Sequence, residues 1–207
     1  MVCTMHEDIY RIYKATLQQP NVLQCIEKLR TYDEVTYTHS YRVCFVALTL
    51  GVDLFLPDKD LLTLGVGSLL HDYGKLHVPK EILNKEGKLT NTEWECMKLH
   101  PLYGAVELQR LGFVSSILQM VAEHHEGVKG QGYPLGKTYS ELSVMSRIVL
   151  VADIYDALTS NRDYRLDKFT PKAAVNILMT EAKADTEIID LLKKYLNFSP
   201  SGQKVEV

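Results

Sequence analysis

The stretch HHEGVKGQGYP, His124–Pro134, sets two imidazoles side by side at the end of an apolar segment, then follows them with Gly127, Gly130 and Gly132, a tyrosine and a proline. Successive residues of an α-helix point about 100° apart, because a turn takes roughly 3.6 residues. Both imidazoles can serve one site only where a pocket wraps the end of a helix. Gly127 and Gly130 supply such an end. The partial negative charge of a helix C-terminus favours a cation there. The stretch therefore reads as a helix that stops where a metal site needs it to stop, with a loop turning over the open face.

Outward from this point the pattern is helical almost throughout. SSILQMVAEHHE leads into the paired histidines and ELSVMSRIVLVADIYDALTS follows the loop. Upstream, HSYRVCFVALTLGVDL and KDLLTLGVGSLLHDYGK are strongly apolar. EDIYRIYKATLQ puts Ile9, Tyr10, Ile12 and Tyr13 on one side of a short helix, and NVLQCIEKLRTY repeats the idea after Pro20. Thr90 with Glu93 is a capping-box signature, and Thr170-Pro171 suits the start of a helix. Weak strand candidates lie near Val78 and in GYPLGKTY. The expectation is an all-α bundle with no internal repeat. Residues 1–35 read as an N-terminal helical extension broken at Pro20, 36–198 as the main domain, and 199–207 as a frayed tail.

The chain has 207 residues, 46% of them hydrophobic, enough for one full core. A net charge of −3 does not suggest a sequence-independent grip on nucleic acid, DNA included, or on an anionic membrane, and any positive patch must be local. Cys3, Cys25, Cys44 and Cys96 form no CxxC pair; Cys44, in VCFVALTL, reads as a small core residue. This usage suits a reducing cytoplasm, the expected location. No apolar run reaches the roughly 18 residues of a membrane span, and MVCTMHEDIYRIYK is too charged for a signal peptide.

Five of the seven histidines, His39, His71, His100, His124 and His125, lie in or at the ends of apolar segments. Asp72 follows Leu69-Leu70-His71, and Asp153 follows five apolar residues. A carboxylate in such a run is costly unless it is paired or binds a metal. His39 alone reads as a hydrogen-bonded core residue, and His6 and His77 as ordinary surface or packing histidines; the set reads as a metal centre. Imidazole and carboxylate without thiolate suit Mn, Fe or Zn rather than a structural zinc cage. Seven ligands are too many for one open tetrahedral centre. They suit two ions roughly 3.5–4 Å apart that share a carboxylate, hold a hydroxide and stabilise a phosphoryl displacement. Lys75, in HDYGK, can neutralise a phosphate or assist a leaving oxygen, and Arg162 and Arg165, in SNRDYR, can receive a second phosphate. Taken singly, each of these cations also fits a solvated loop.

At this point the residues resemble a known family, the HD-GYP phosphodiesterases. HDYGK at 71–75 is similar to its HD motif and HHEGVKGQGYP at 124–134 to its GYP motif. ILNKEGKLTNTEWECMKLHP and VADIYDALTSNRDYR resemble further family segments, and the likeness covers roughly residues 36–198. It implies an HD-superfamily helical bundle with a binuclear centre of iron or manganese in its core. It also implies hydrolysis of cyclic di-GMP to linear pGpG or GMP by a metal-bound hydroxide. By position, His39, His71, Asp72, His100, His124, His125 and Asp153 match the metal ligands, with Asp72 as the bridge. Lys75, Arg162 and Arg165 match phosphate contacts, and Gly132, Tyr133 and Pro134 the substrate-side loop. Asp72 and Lys75 carry the catalytic roles. A signalling partner protein, as the source of input beside the short N-terminal segment, and a homodimer complete the expected partners.

The chain departs from the pattern in several places. Val35 stands where three-metal members carry a glutamate, which predicts two metals. Gly127 and Lys129 replace a usual arginine and aspartate, Ala184-Asp185-Thr186 a usual Phe-Asp-Pro, and Asn161 and Asp163 flank Arg162 in place of aspartate and proline. Two other readings stay open: hydrolysis of another nucleotide, mixed cyclic dinucleotides included, and a nucleotide-binding module with a slow centre.

Overall fold

The first two helices show how the apolar pattern becomes packing. In α1 (Val2–Leu17), Ile9 and Ile12 are buried and Tyr13 packs against them, whereas Tyr10 is 58% exposed. One residue of helix turns a side chain about 100°, so Tyr10 leaves the face that residues 9, 12, 13 and 16 share. It lies beneath the Lys14 ammonium instead, 4.5 Å from ring centroid to Nζ. α2 (Val22–Tyr32) begins just after Pro20 and buries Val22, Cys25, Ile26 and Leu29, an i, i+3, i+4, i+7 stripe. The computed structural model describes residues 2–160, 169–181 and 184–198.

Asp33 ends α2 and starts α3 (Glu34–Asp53), its side chain accepting from the Thr36 amide at 2.7 Å. α4 (Asp58–Leu69) packs along α3 and α1. A 3₁₀ turn, Tyr73–His77, and the short α5 (Lys80–Leu83) and α6 (Asn91–Met97) lead to α7 (His100–Arg110) and α8 (Ser115–Glu123). The Thr90–Glu93 capping box is present at α6. After the glycine loop and a 3₁₀ turn, Tyr139–Glu141, α9 (Val144–Thr159) returns through the middle against α3, α4 and α8. α10 (Pro171–Glu181) and α11 (Thr186–Phe198) close its far side.

The fold is all-α. The expected strand at Val78 is a single extended residue after the 3₁₀ turn. The one in GYPLGKTY reduces to a lone antiparallel bridge, Lys129 to Thr138, and no strand forms among the described residues. Such short segments offer no neighbouring edge to pair with. Cys44 is fully buried, as its apolar run requires. α1 and α2 contribute Ile9, Ile12, Val22, Ile26 and Leu29 to the same core as α3 and α4. No helix among the described residues is long and apolar enough to cross a membrane.

Candidate metal centre

Each candidate ligand sits at or near the end of an element, except the two buried mid-helix on α3 and α9. His39 lies on α3, His71 and Asp72 just past α4, and His100 opens α7. His124 caps α8 and His125 follows it. Asp153 lies on α9. Gly74 lets the turn after Asp72 run against α7: a Cβ there would sit 1.9 Å from the His100 carbonyl oxygen. All seven side chains converge in two groups, Asp72 with His100, His124 and His125, and His39 with His71 and Asp153. Within each group the ligand atoms lie within 4.8 Å of one another.

The hydrogen bonds behind the rings fix what they present in front. Nδ1 of His71, His100 and His124 faces the backbone carbonyls of Ser68, Met97 and Val121 at 2.7, 2.7 and 2.8 Å. A carbonyl only accepts, so each Nδ1 carries the proton and each Nε2 is a bare lone pair. The Nε2 atoms of His100 and His124 then face each other at 3.2 Å with no hydrogen between them. Asp72 Oδ1 lies 3.2 and 3.7 Å from the same two nitrogens and has no hydrogen-bond partner. Three buried acceptors meeting without a donor call for a cation. The donor set, imidazole nitrogen and carboxylate oxygen, fits a divalent metal. In the second group Nε2 of His39 and His71 also meet at 3.2 Å, with Asp153 Oδ1 at 3.0 Å from His39. Asp72 Oδ2 points to this side, 3.6 and 3.3 Å from the two nitrogens. Each oxygen of Asp72 thus faces a different group.

The electrostatics agree. Burial pushes the Asp72 carboxyl up, but Lys75 and the surrounding imidazoles outweigh it and hold the group well below the usual carboxylate range. Asp153 is likewise buried and likewise held low, by His39, His125 and His71. Burial keeps His100, His124 and His125 below the ordinary histidine value, so their rings are neutral. His39 is raised: burial opposes its charge, but Asp153 and Asp156 prevail.

Lys75 Nζ is 2.6 Å from Asp72 Oδ2 at the edge of the cluster. Tyr133 lies over the paired histidines, its ring centroid 4.9 Å from that of His125 and its amide on the His125 carbonyl at 3.2 Å. Gly132 is required for this approach, because a Cβ there would meet the Glu126 Cα and Gly127 amide at 2.4 Å. Pro134 follows Tyr133 in the same loop. Arg162 and Arg165, with Asn161 and Asp163, lie outside the described residues. Val35 is 50% exposed on α3 and Asp33 is engaged in capping. Beside Gly127, the Gln131 side chain accepts from the Lys129 amide at 3.0 Å. Asp185 caps the start of α11 and pairs with Arg147. His77 is exposed and packs on Tyr103, 5.5 Å between centroids.

Sequence reasoning missed a supporting layer. Asp156, one turn beyond Asp153, accepts from His39 Nδ1 at 2.7 Å, from Arg42 at 2.6 and 3.1 Å and from Ser160 at 2.7 Å. It fixes the His39 tautomer as a carboxylate behind a metal-facing histidine does. Glu126, buried just after the histidine pair, accepts the Leu135 and Lys137 amides at 2.6 and 2.9 Å. Glu123, buried just before the pair, takes the Lys137 ammonium at 2.5 Å and the Ser146 hydroxyl at 2.6 Å. The two carboxylates pin the far end of the loop to the helix that carries the histidines. The spacing of Asp156 three residues after Asp153 was the available signal.

A family model described as an HD domain matches residues 22–188. The chain belongs to the HD domain family. Among relatives of this HD domain protein, the cyclic di-GMP phosphodiesterase PA4108 of Pseudomonas aeruginosa is 36% identical over 197 residues, covering 95% of this chain and 48% of the relative. The 3'3'-cGAMP-specific phosphodiesterase 3 of Vibrio cholerae is 38% identical over 166 residues, covering 80% of this chain and 36% of the relative. The chain thus spans less than half the length of either. Among solved structures, Bd1817, an HDG"Y"P protein of Bdellovibrio bacteriovorus, superposes with a TM-score of 0.69 at 21% identity, covering 95% of this chain and 65% of that one. The last likeness is one of fold.

Proposed function

We propose that this HD domain protein is a metal-dependent phosphodiesterase that hydrolyses cyclic di-GMP to linear pGpG, GMP or both. The observation that carries the reading is the convergence of bare His100 Nε2, His124 Nε2 and Asp72 Oδ1 with no donor among them. The sequence relationship to cyclic dinucleotide phosphodiesterases supplies the substrate class. In this reading the two groups would hold two divalent ions, iron or manganese, Asp72 offering one oxygen to each group, and Val35 would supply no ligand for a third. Bound there, such ions acidify a water and neutralise phosphate charge.

The chain's own residues do the rest. The Asp156 carboxylate holds His39 in the tautomer that leaves Nε2 free. Lys75 brings an ammonium to the edge of the cluster, where a phosphate oxygen gathers charge as the phosphorus–oxygen bond breaks. The water oxygen joins phosphorus in line, and the ribose 3′-oxygen departs and takes a proton, leaving a 5′-phosphate. Arg162 and Arg165 contact the second phosphate, and the loop of Gly132, Tyr133 and Pro134 forms the substrate side. Residues 1–35 act as an N-terminal extension whose helices share the core of the domain at 36–198. A cytoplasmic location, input from a partner protein and a homodimer belong to the same proposal.

The test is chromatography of products after incubating cyclic di-GMP with protein reconstituted anaerobically with iron, and separately with manganese. Linear dinucleotide or GMP is expected, and Asp72→Ala should abolish metal binding and turnover together. Retained turnover in that variant would sink the mechanism. The relatives named for 3'3'-cGAMP favour a second substrate, and the same assay run with that nucleotide separates the two. Nucleotide binding without product would instead identify a slow binding module, with Gly127 and Lys129 the first positions to restore.

A further inference from the structure

We infer that Trp94 is a stacking platform for a purine base of the nucleotide; the assignment rests on the nucleotide reading above and adds a specificity residue to the same site. The cluster is closed on most sides. The side chains of His71, Asp72, His100 and His124 are at most 1% exposed, whereas that of His125 is 24% exposed. The site therefore opens past His125. From that ring an aromatic series leads outward: Tyr133 lies 4.9 Å away and Trp94 a further 5.8 Å, centroid to centroid. Tyr133 is half-buried between His125 and Trp94. Trp94, tilted 78° to it and 44% exposed, is the member with ring surface left for a ligand.

The helix carrying Trp94 is built to display it. α6 has seven residues and buries none of them. A helix so short is not stable alone. It is held by polar contacts: the Thr90–Glu93 capping box, and Lys85 Nζ on both Glu93 oxygens at 2.8 and 2.6 Å. Fixing a large half-exposed indole at the mouth of the cluster by charges, with no core packing of its own helix, is poor use of a tryptophan as filler. It suits base recognition, because every nucleobase has a flat face that an aromatic ring can cover. A phosphate drawn to the cluster leaves its nucleoside to lie along this series.

Trp94 is the sole tryptophan of the chain, so its emission reports on this position alone. The experiment mixes cyclic di-GMP with the manganese-loaded protein in a stopped-flow fluorimeter and compares steady-state kinetics of Trp94→Ala and Trp94→Phe. Quenching in the binding phase is expected. Trp94→Ala should raise KM about tenfold, with kcat within twofold of wild type and metal content unchanged, and Trp94→Phe should recover most of the affinity. An active wild type whose emission is unchanged, or an alanine variant with unchanged KM, overturns the assignment. So does a variant whose kcat falls together with its metal content, the mark of a merely structural role. If Trp94→Ala does not fold, Trp94→Phe and the emission of the wild type decide. A loaded wild type that hydrolyses no cyclic dinucleotide overturns the phosphodiesterase reading instead, and Trp94 then stands or falls by whether cyclic di-GMP still quenches it.

Discussion

Asp156 never meets the centre of the cluster, yet it sets the state of a residue that does. Its carboxyl is pulled down to about 2: burial pushes it up, but His39 and Arg42 outweigh that. Replacing it by asparagine keeps an acceptor for His39 Nδ1 but removes the charge and leaves the Arg42 guanidinium without its partner. The expected outcome for Asp156→Asn is a loss of metal affinity of about 10- to 100-fold, read by competition against a chelator, in a protein that still folds. The ligand-type residues themselves were legible in the sequence, because histidine and aspartate at apolar borders are costly unless they do something. Asp156 was not. An acidic residue one turn along a helix looks like solvated surface, and its partner Arg42 is 114 positions away.

At the scale of the element, α6 makes a test of pH. The Glu93 carboxyl, bonded by Lys85 and the Thr90 cap, falls from 4.5 to about 2 on folding. A folded value below the unfolded one means stability that is fully present above pH 4.5 and lost as pH falls through about 2. Glu93→Gln should therefore melt below wild type at neutral pH, and the gap should close as the pH is lowered toward 2. Thermal melts across that range check it. The capping box was legible because it is a local rule spanning four residues. The pinning of the loop by Glu123 and Glu126 was not, because Leu135 and Lys137 reach those carboxylates only through the turn of the whole segment. Tyr10 fell on the wrong face for a similar reason: an apolar residue satisfies a pattern by type, but the angle of the helix decides where it goes.

For the whole molecule, metal held by the cluster would act on stability as well. The bare nitrogens of His100 and His124 and the Asp72 Oδ1 repel one another until a cation joins them. Removing metal by chelation should lower the unfolding midpoint, and adding back Mn²⁺ or Fe²⁺ should restore it. With free metal at about 100 times Kd the linkage is worth roughly 2.7 kcal/mol per site. An unfolding midpoint indifferent to metal would contradict the reading of the cluster. At this scale the sequence revealed the helical class and the seven side chains that converge in the cluster. It did not reveal that α1 and α2 share one core with α3 and α4, since that rests on which faces meet in space.

The order in which the ligands occur along the chain carries a consequence for biogenesis. Asp72, His100, His124 and His125 all precede α9 along the chain, whereas the group of His39 and His71 waits for Asp153. In the metal-centre reading, the group of Asp72, His100, His124 and His125 would hold an ion without any residue of α9. The second half is completed only when that helix slots between α3 and α8. Completing the second group is then coupled to the docking of α9, and a chain stalled before α9 would carry only the first group.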